Sequence, residues 1–158
     1  MLKMVFLWGS VAAVIAFMGV QAAVRLSAVD PEAWHVDPAS TARTGKPNDY
    51  LVREGADREP LILAQSPQDV ARALFEIALA QSRTELIAGS IESGWFTLMQ
   101  RTALMGYPDF ISVKISESEG GSVLRLYSRS RDGHSDLGVN KARVGAWLSA
   151  LDAKLASS

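Results

Sequence analysis

The sequence predicts an α+β domain in which a curved antiparallel sheet of 4–5 strands carries two helices on one face, in the order β-α-β-β-β-β-α, behind an N-terminal transmembrane helix. Three observations predict it. An uncharged apolar run occupies residues 4–23. Four strand-like runs succeed one another in the second half of the chain, separated by breaks too short for crossovers. Two stretches with helical apolar spacing flank those runs, one before and one after.

The run at 4–23 spans about 20 residues at ~1.5 Å each, roughly the hydrocarbon thickness of a bilayer. It has no polar face, which argues against a buried core helix of a soluble domain. Lys3 and the terminal amine precede it and favour export of the remainder of the chain. Val20-Gln21-Ala22 offers a small-residue cleavage site, whereas the length of the run and Trp8 at one end favour a retained anchor. The chain accordingly divides into a membrane anchor or signal segment at 1–24, an extended linker or arm at 25–60 and a folded domain at 61–158. The linker reading rests on Pro31, Pro38, Pro47 and Pro60 and on the lack of a sustained period. Within it, Trp34-His35-Val36-Asp37-Pro38 is the stretch able to hold the arm on the domain or at the membrane surface, and 50–52 can form a short extended segment.

In the domain, 61–64 reads as an edge strand. Ser66 offers an N-cap, Pro67 stands at the first helical position and Asp69 accepts in the first turn, so a helix begins there and runs to Ser82, with Val70, Leu74, Ile77, Ala78 and Gln81 on one face. Strands are expected at 84–88, 95–103, 110–116 and 123–131, broken by Gly89-Ser90, Ser93-Gly94, Gly106-Tyr107-Pro108-Asp109 and Glu119-Gly120-Gly121. A last helix starts near Lys141 with Asn140 as its cap and Val144, Trp147, Leu148, Leu151 and Leu155 as its apolar stripe. Alternation turns Phe96, Leu98, Ile111, Val113, Ile115, Leu124 and Leu126 toward the helices. The opposite face then collects Arg101, Lys114, Arg125, Arg129 and Arg131, interleaved with Trp95, Met99 and Tyr127.

The 158 residues carry a net charge of −1, which argues against a general nucleic-acid binder. With no cysteine and two histidines, thiol chemistry, disulfides and thiolate or histidine-rich metal sites have no ligands to work with. No cofactor is expected. Arg101, Arg125, Tyr127, Arg129 and Arg131 are the candidate ligand-binding residues, because arginines spaced by two on a strand present parallel guanidinium forks suited to a carboxylate or phosphate. The competing reading pairs Arg129 and Arg131 internally with Asp109, Asp132 or Asp136. Ser135, Asp136, Gly138 and Asn140 have the residue types of a turn and cap, and the helix start they build is also able to hold an anion. His134-Ser135-Asp136 contains the types of a hydrolase triad, but adjacent turn residues do not converge as that relay requires.

Tyr127-Ser128-Arg129-Ser130-Arg131, followed by Gly133, Ser135-Asp136, Gly138, Asn140 and Arg143, resembles the signature of the domain-of-unknown-function 1499 family, DUF1499. Arg83-Thr84, Gly106-Tyr107-Pro108-Asp109, Ile111-Ser112-Val113 and the Trp34–Pro38 stretch after a membrane segment are similar to it as well. The resemblance implies a bacterial envelope or chloroplast setting and brings no reaction with it. The expectation is a single-pass protein of the bacterial inner membrane with its C-terminal domain in the periplasm. It binds an anionic, lipid-like amphiphile or an envelope protein partner through the basic sheet face. The alternatives are an enzyme on an envelope substrate using Asp109 and Asp136 as acid and base, and an assembly module whose motif is purely structural.

Overall fold

The computed structural model describes residues 2–157, with side chains from Trp8 onward. Lys3, on whose charge the expected orientation rests, has its side chain outside the described residues. Helix α1 (Leu2–Leu26) leads into a one-turn α2 (Pro31–Trp34), strands β1 (Asp49–Val52) and β2 (Leu61–Leu63), and helix α3 (Pro67–Leu79). Strands β3 (Thr84–Ser90), β4 (Trp95–Arg101), β5 (Pro108–Ser118) and β6 (Gly121–Ser130) and helix α4 (Val139–Ala156) complete the chain. The part of α1 from Trp8 to Leu26 has a mean hydropathy of 1.6 and is long and apolar enough to cross a membrane; a signal sequence has the same character.

The sheet is antiparallel throughout, in the order β1-β6-β5-β4-β3. It gains a sixth strand over the expected five, because the extended segment at 50–52 is a true strand. β1 pairs with β6 from Leu126 to Arg129, and β2 pairs with the same strand from Ser122 to Leu124, so the two share one edge. Of the expected breaks, Ser93-Gly94, Gly106-Tyr107 and Glu119-Gly120 lie between strands, where the glycines take positive φ, whereas Gly89-Ser90 is no break but the end of β3, paired with Phe96 and Trp95.

Both amphipathic helices pack on the face carrying Phe96, Leu98, Ile111, Val113, Ile115, Leu124 and Leu126. Val70, Leu74 and Ala78 of α3 meet Val144, Trp147, Leu148 and Leu151 of α4 over that face, with Phe75 set edge-on to Phe96 at 5.5 Å. Burying side chains of this size contributes about 1.5–3 kcal/mol each, so this layer supplies most of the drive to fold. Helix α3 starts as expected: Ser66 Oγ accepts from the Asp69 amide at 3.2 Å, and Pro67 gives up no needed donor. It stops at Leu79, short of Ser82, and Arg83 turns the chain into β3 with a φ of 63°.

The start of α4 departs from expectation. Asn140 is not the cap but lies inside the first turn, fully buried. Gly138 occupies the cap position with φ 81°, and the Asp136 carboxylate takes over the capping, accepting from the amides of Gly138 at 3.1 Å and Asn140 at 2.6 Å. A buried asparagine side chain with partners elsewhere cannot turn back to cap its own helix.

Candidate functional site

The segment at 30–47 is an ordered arm rather than a free linker, and it lies across the outer sheet face. Asp30 caps α2 and aims Trp34 at the sheet, where its ring stacks on Phe110 at 4.0 Å. His35 stacks on Trp95 at 4.1 Å and its Nδ1 meets Thr97 Oγ1 at 2.9 Å. Burial holds its pKa below the ordinary histidine value. Asp37 pairs with Lys114, which offsets the cost of burial and keeps its carboxyl below the usual range. Farther along, the Thr44 amide donates to Tyr127 Oη, which donates in turn to Asp49 at 2.7 Å. Burial first, and then this bond, push the Tyr127 hydroxyl pKa up.

The five candidate binding residues are therefore occupied. Arg129 is 3% exposed and sits against the rings of Trp34 and Tyr127, at 5.1 and 4.8 Å. It donates to the Trp34 carbonyl at 2.6 Å, to Ser112 Oγ at 3.2 Å and to the Tyr127 carbonyl at 3.3 Å. No carboxylate among the described residues forms an ion pair with it, and burial pulls its pKa down to about 10, still charged at neutral pH. Arg125 is paired with Glu54, which drops that carboxyl to about 2. Arg101 donates to the Gly106 carbonyl at 3.1 Å. Arg131 holds Asp132 at 2.9 Å and reaches Ser27 Oγ at 2.8 Å, the first residue beyond α1. Of the acids weighed as internal partners, Asp132 thus takes Arg131, while Asp109 and Asp136 pair with neither arginine of the strand.

The motif residues converge elsewhere, at the end of the sheet where β5 begins and β6 passes into α4. Asp109 and Arg143 form an ion pair at 2.5 Å with both side chains almost wholly buried. Arg143 also donates to Gln100 Oε1 at 2.6 Å, Ser128 Oγ at 3.0 Å and Asn140 Oδ1 at 2.6 Å. Asn140 Nδ2 donates to the Asn48 carbonyl at 3.0 Å and to Ser130 Oγ at 3.1 Å. One polar network thus ties the arm, three strands and α4 together, with the satisfied partners that a buried charge requires. Above it opens a cleft of about 410 Å³ lined by Thr102, Tyr107, Asp109, Ser130, Asp132, Gly133, Ser135, Asp136 and Val139. Ser135 Oγ accepts from the Leu137 amide at 3.2 Å, which holds the loop rim.

Sequence reasoning singled out Asp109, Ser135 and Asp136 but missed that Tyr107, Thr102 and Ser130 share their cleft. It also passed over Arg143 as a site residue. A signal existed: Arg143 stands three residues after Asn140 and four before Trp147, on the apolar stripe of α4, where a charge needs a buried partner. Among the described residues no group of three or more histidine, aspartate or glutamate side chains is arranged to hold a metal ion.

The model of the family described as "Protein of unknown function (DUF1499)" matches residues 23–151, which takes in the arm, the whole sheet and the motif. No curated protein matches the chain.

Proposed function

We propose, for a chain that belongs to the DUF1499 family, that it is a membrane-tethered binding domain whose cleft at the motif end of the sheet holds the polar head of an amphiphile. The observation carrying this reading is that motif side chains from β5, β6 and the loop before α4 converge on one open cleft, while the basic face is covered by the arm. The lining presents three carboxylates, Asp109, Asp132 and Asp136, and four hydroxyls, of Thr102, Tyr107, Ser130 and Ser135. Two of these carboxylates already pair with guanidiniums, Asp132 with Arg131 and Asp109 with Arg143. With Asp132 and Asp109 neutralised by these arginines, Asp136 and the four hydroxyls remain, a lining that favours a hydroxyl-rich or cationic head over an anion. Proton transfer finds less support: Asp136 is used on backbone amides, and Asp109 is held by Arg143. The apolar span of α1 supports a retained single-pass anchor, with the bacterial inner membrane and a periplasmic domain as the setting.

Native mass spectrometry of the full chain released from detergent micelles tests the reading, with phosphatidylethanolamine, phosphatidylglycerol and a neutral glycolipid offered together. Retention of the amine- or sugar-headed lipid, and its loss in Ser135→Trp, is expected. Equal retention by wild type and variant overturns it.

A second reading rests on Arg129, a buried cation without an ion pair among the described residues, under an arm whose Trp34 ring stacks on Phe110 beside it. Displacement of the arm offers that guanidinium to an anionic lipid or an acidic segment of an envelope protein. Under this reading Trp34→Ala raises binding to phosphatidylglycerol vesicles; unchanged binding refutes it.

A further inference from the structure

The cleft has an apolar rim. Leu137 is 94% exposed and Leu104 is 67% exposed, and Tyr107 and Val139, which line the cleft, are also exposed. Leu137 is the more telling, because its backbone stands in the left-handed region at φ 54°. That conformation costs a leucine more than a glycine, and an exposed side chain recovers nothing from the fold. Strain kept for a side chain that touches nothing in its own domain points outward, to something the side chain meets there.

The position of α1 says what that is. Gln21 Nε2 donates to the Leu104 carbonyl at 2.6 Å, Arg25 Nη2 donates to the Ala103 carbonyl at 3.3 Å, and the Arg25 side chain lies against Gly106 so closely that a Cβ there would meet its Cγ at 2.6 Å. Gln21 precedes the end of the helix at Leu26 by roughly 7 Å along its axis. The loop at 102–107 is therefore docked below the end of the apolar span, level with its last turns. If α1 crosses a bilayer, that level is the interface between hydrocarbon and head groups.

We propose that the bilayer holding α1 is itself the partner of this rim: Leu104, Tyr107, Leu137 and Val139 enter the interfacial zone of the same leaflet, so that the cleft opens among lipid head groups rather than into bulk water. Apolar side chains with an aromatic among them suit that zone. The inference rests on the reading of α1 as a retained anchor, but not on any ligand in the cleft.

The chain has no cysteine, so single cysteines report cleanly. Leu104→Cys, Leu137→Cys and Glu119→Cys, each in the full chain reconstituted into phosphatidylethanolamine–phosphatidylglycerol vesicles, are labelled with an environment-sensitive fluorophore and quenched by lipids carrying a shallow spin label. Glu119 lies at the far end of β5, roughly 35 Å away along 11 residues. Labels at 104 and 137 are expected to shift to the blue and to quench at least about twofold more than the label at 119. Either label behaving like the one at 119, in protein that resists alkaline extraction, overturns the inference and leaves the anchor standing. Release of the protein by alkali overturns the anchor and the inference together. Loss of lipid selectivity in the cleft without change in these labels counts against the proposed function alone.

Discussion

The Asp109–Arg143 pair supports a quantitative test of how the motif works. Both side chains are nearly wholly buried, at 4% and 6% exposure, and the pair lies 2.5 Å apart. Asp109→Asn keeps the shape but leaves the Arg143 guanidinium buried without its counter-charge, and Arg143→Met leaves the carboxylate in the same condition. Each is expected to cost about 3–5 kcal/mol, the usual penalty for an orphaned buried charge. In the double variant neither position 109 nor position 143 carries a charge. Asn140 Oδ1 still accepts from Ser128 Oγ at 2.6 Å, and Gln100 is only half-buried and takes water instead. The double should therefore cost about 1–2 kcal/mol, the worth of the remaining unmade hydrogen bonds. It then lies well under the sum of the singles, with a coupling of at least ~3 kcal/mol. Denaturant melts of the full chain in micelles, followed by near-ultraviolet circular dichroism, give all four corners of the cycle. Additive singles, or singles below about 1 kcal/mol, would show that the pair behaves as a hydrated surface bridge and would refute the buried-network account.

Three further outcomes come from the same geometry. Removing the Trp34 ring should weaken arm docking by about 2–3 kcal/mol, less than a full core deletion because the residue is half-buried; trypsin cleavage after Arg43 should then accelerate with the sheet still protected from exchange. Because burial lowers the His35 pKa, an undocked arm binds a proton between that lowered value and 6.5 while the docked arm does not. Docking is thus at full strength above 6.5 and weakens as pH falls through that window, which hydrogen exchange of arm amides at pH 7.5 and 5.5 should show and His35→Gln should flatten. Gly89→Ala places a Cβ 2.1 Å from the Trp95 carbonyl oxygen at φ 77° and should cost more than ~2 kcal/mol, whereas Gly120→Ala, at φ 81° but in open space, should cost about 1 kcal/mol; equal melting shifts would refute the steric argument.

The apolar layer was legible because periodicity and burial share one cause. Phe96 and Leu98, Ile111, Val113 and Ile115, and Leu124 and Leu126 recur at every second position, and Val144, Trp147, Leu148 and Leu151 follow the helical stripe, so local pattern alone assigns their side of the sheet. The outer face was not legible in the same way. Arg129 and Arg131 read alike as outward arginines, yet the first is buried and the second is partly exposed. The difference comes from residues 95 to 104 positions earlier, Trp34 above Arg129 and Ser27 beside Arg131, whose place on the sheet no local period records. Asn140 failed as a cap for a related reason. Residue type suggests a cap, but Asn48 and Ser128 on other elements compete for its side chain and win.

The split edge of the sheet has a consequence for encounters between copies. A continuous outer strand offers a row of free amides and carbonyls on which a second sheet can grow. Here that side is made of a four-residue and a three-residue strand on one partner, with the chain between them looping out and crossing back through the Val52–Arg58 bridge. No run there is long enough to template another strand. At the other side, β3 shifts register between Leu86 and Ala88, which breaks its row in the middle. Both flanks of this sheet are therefore shaped so that an encounter between two copies does not propagate into a fibre.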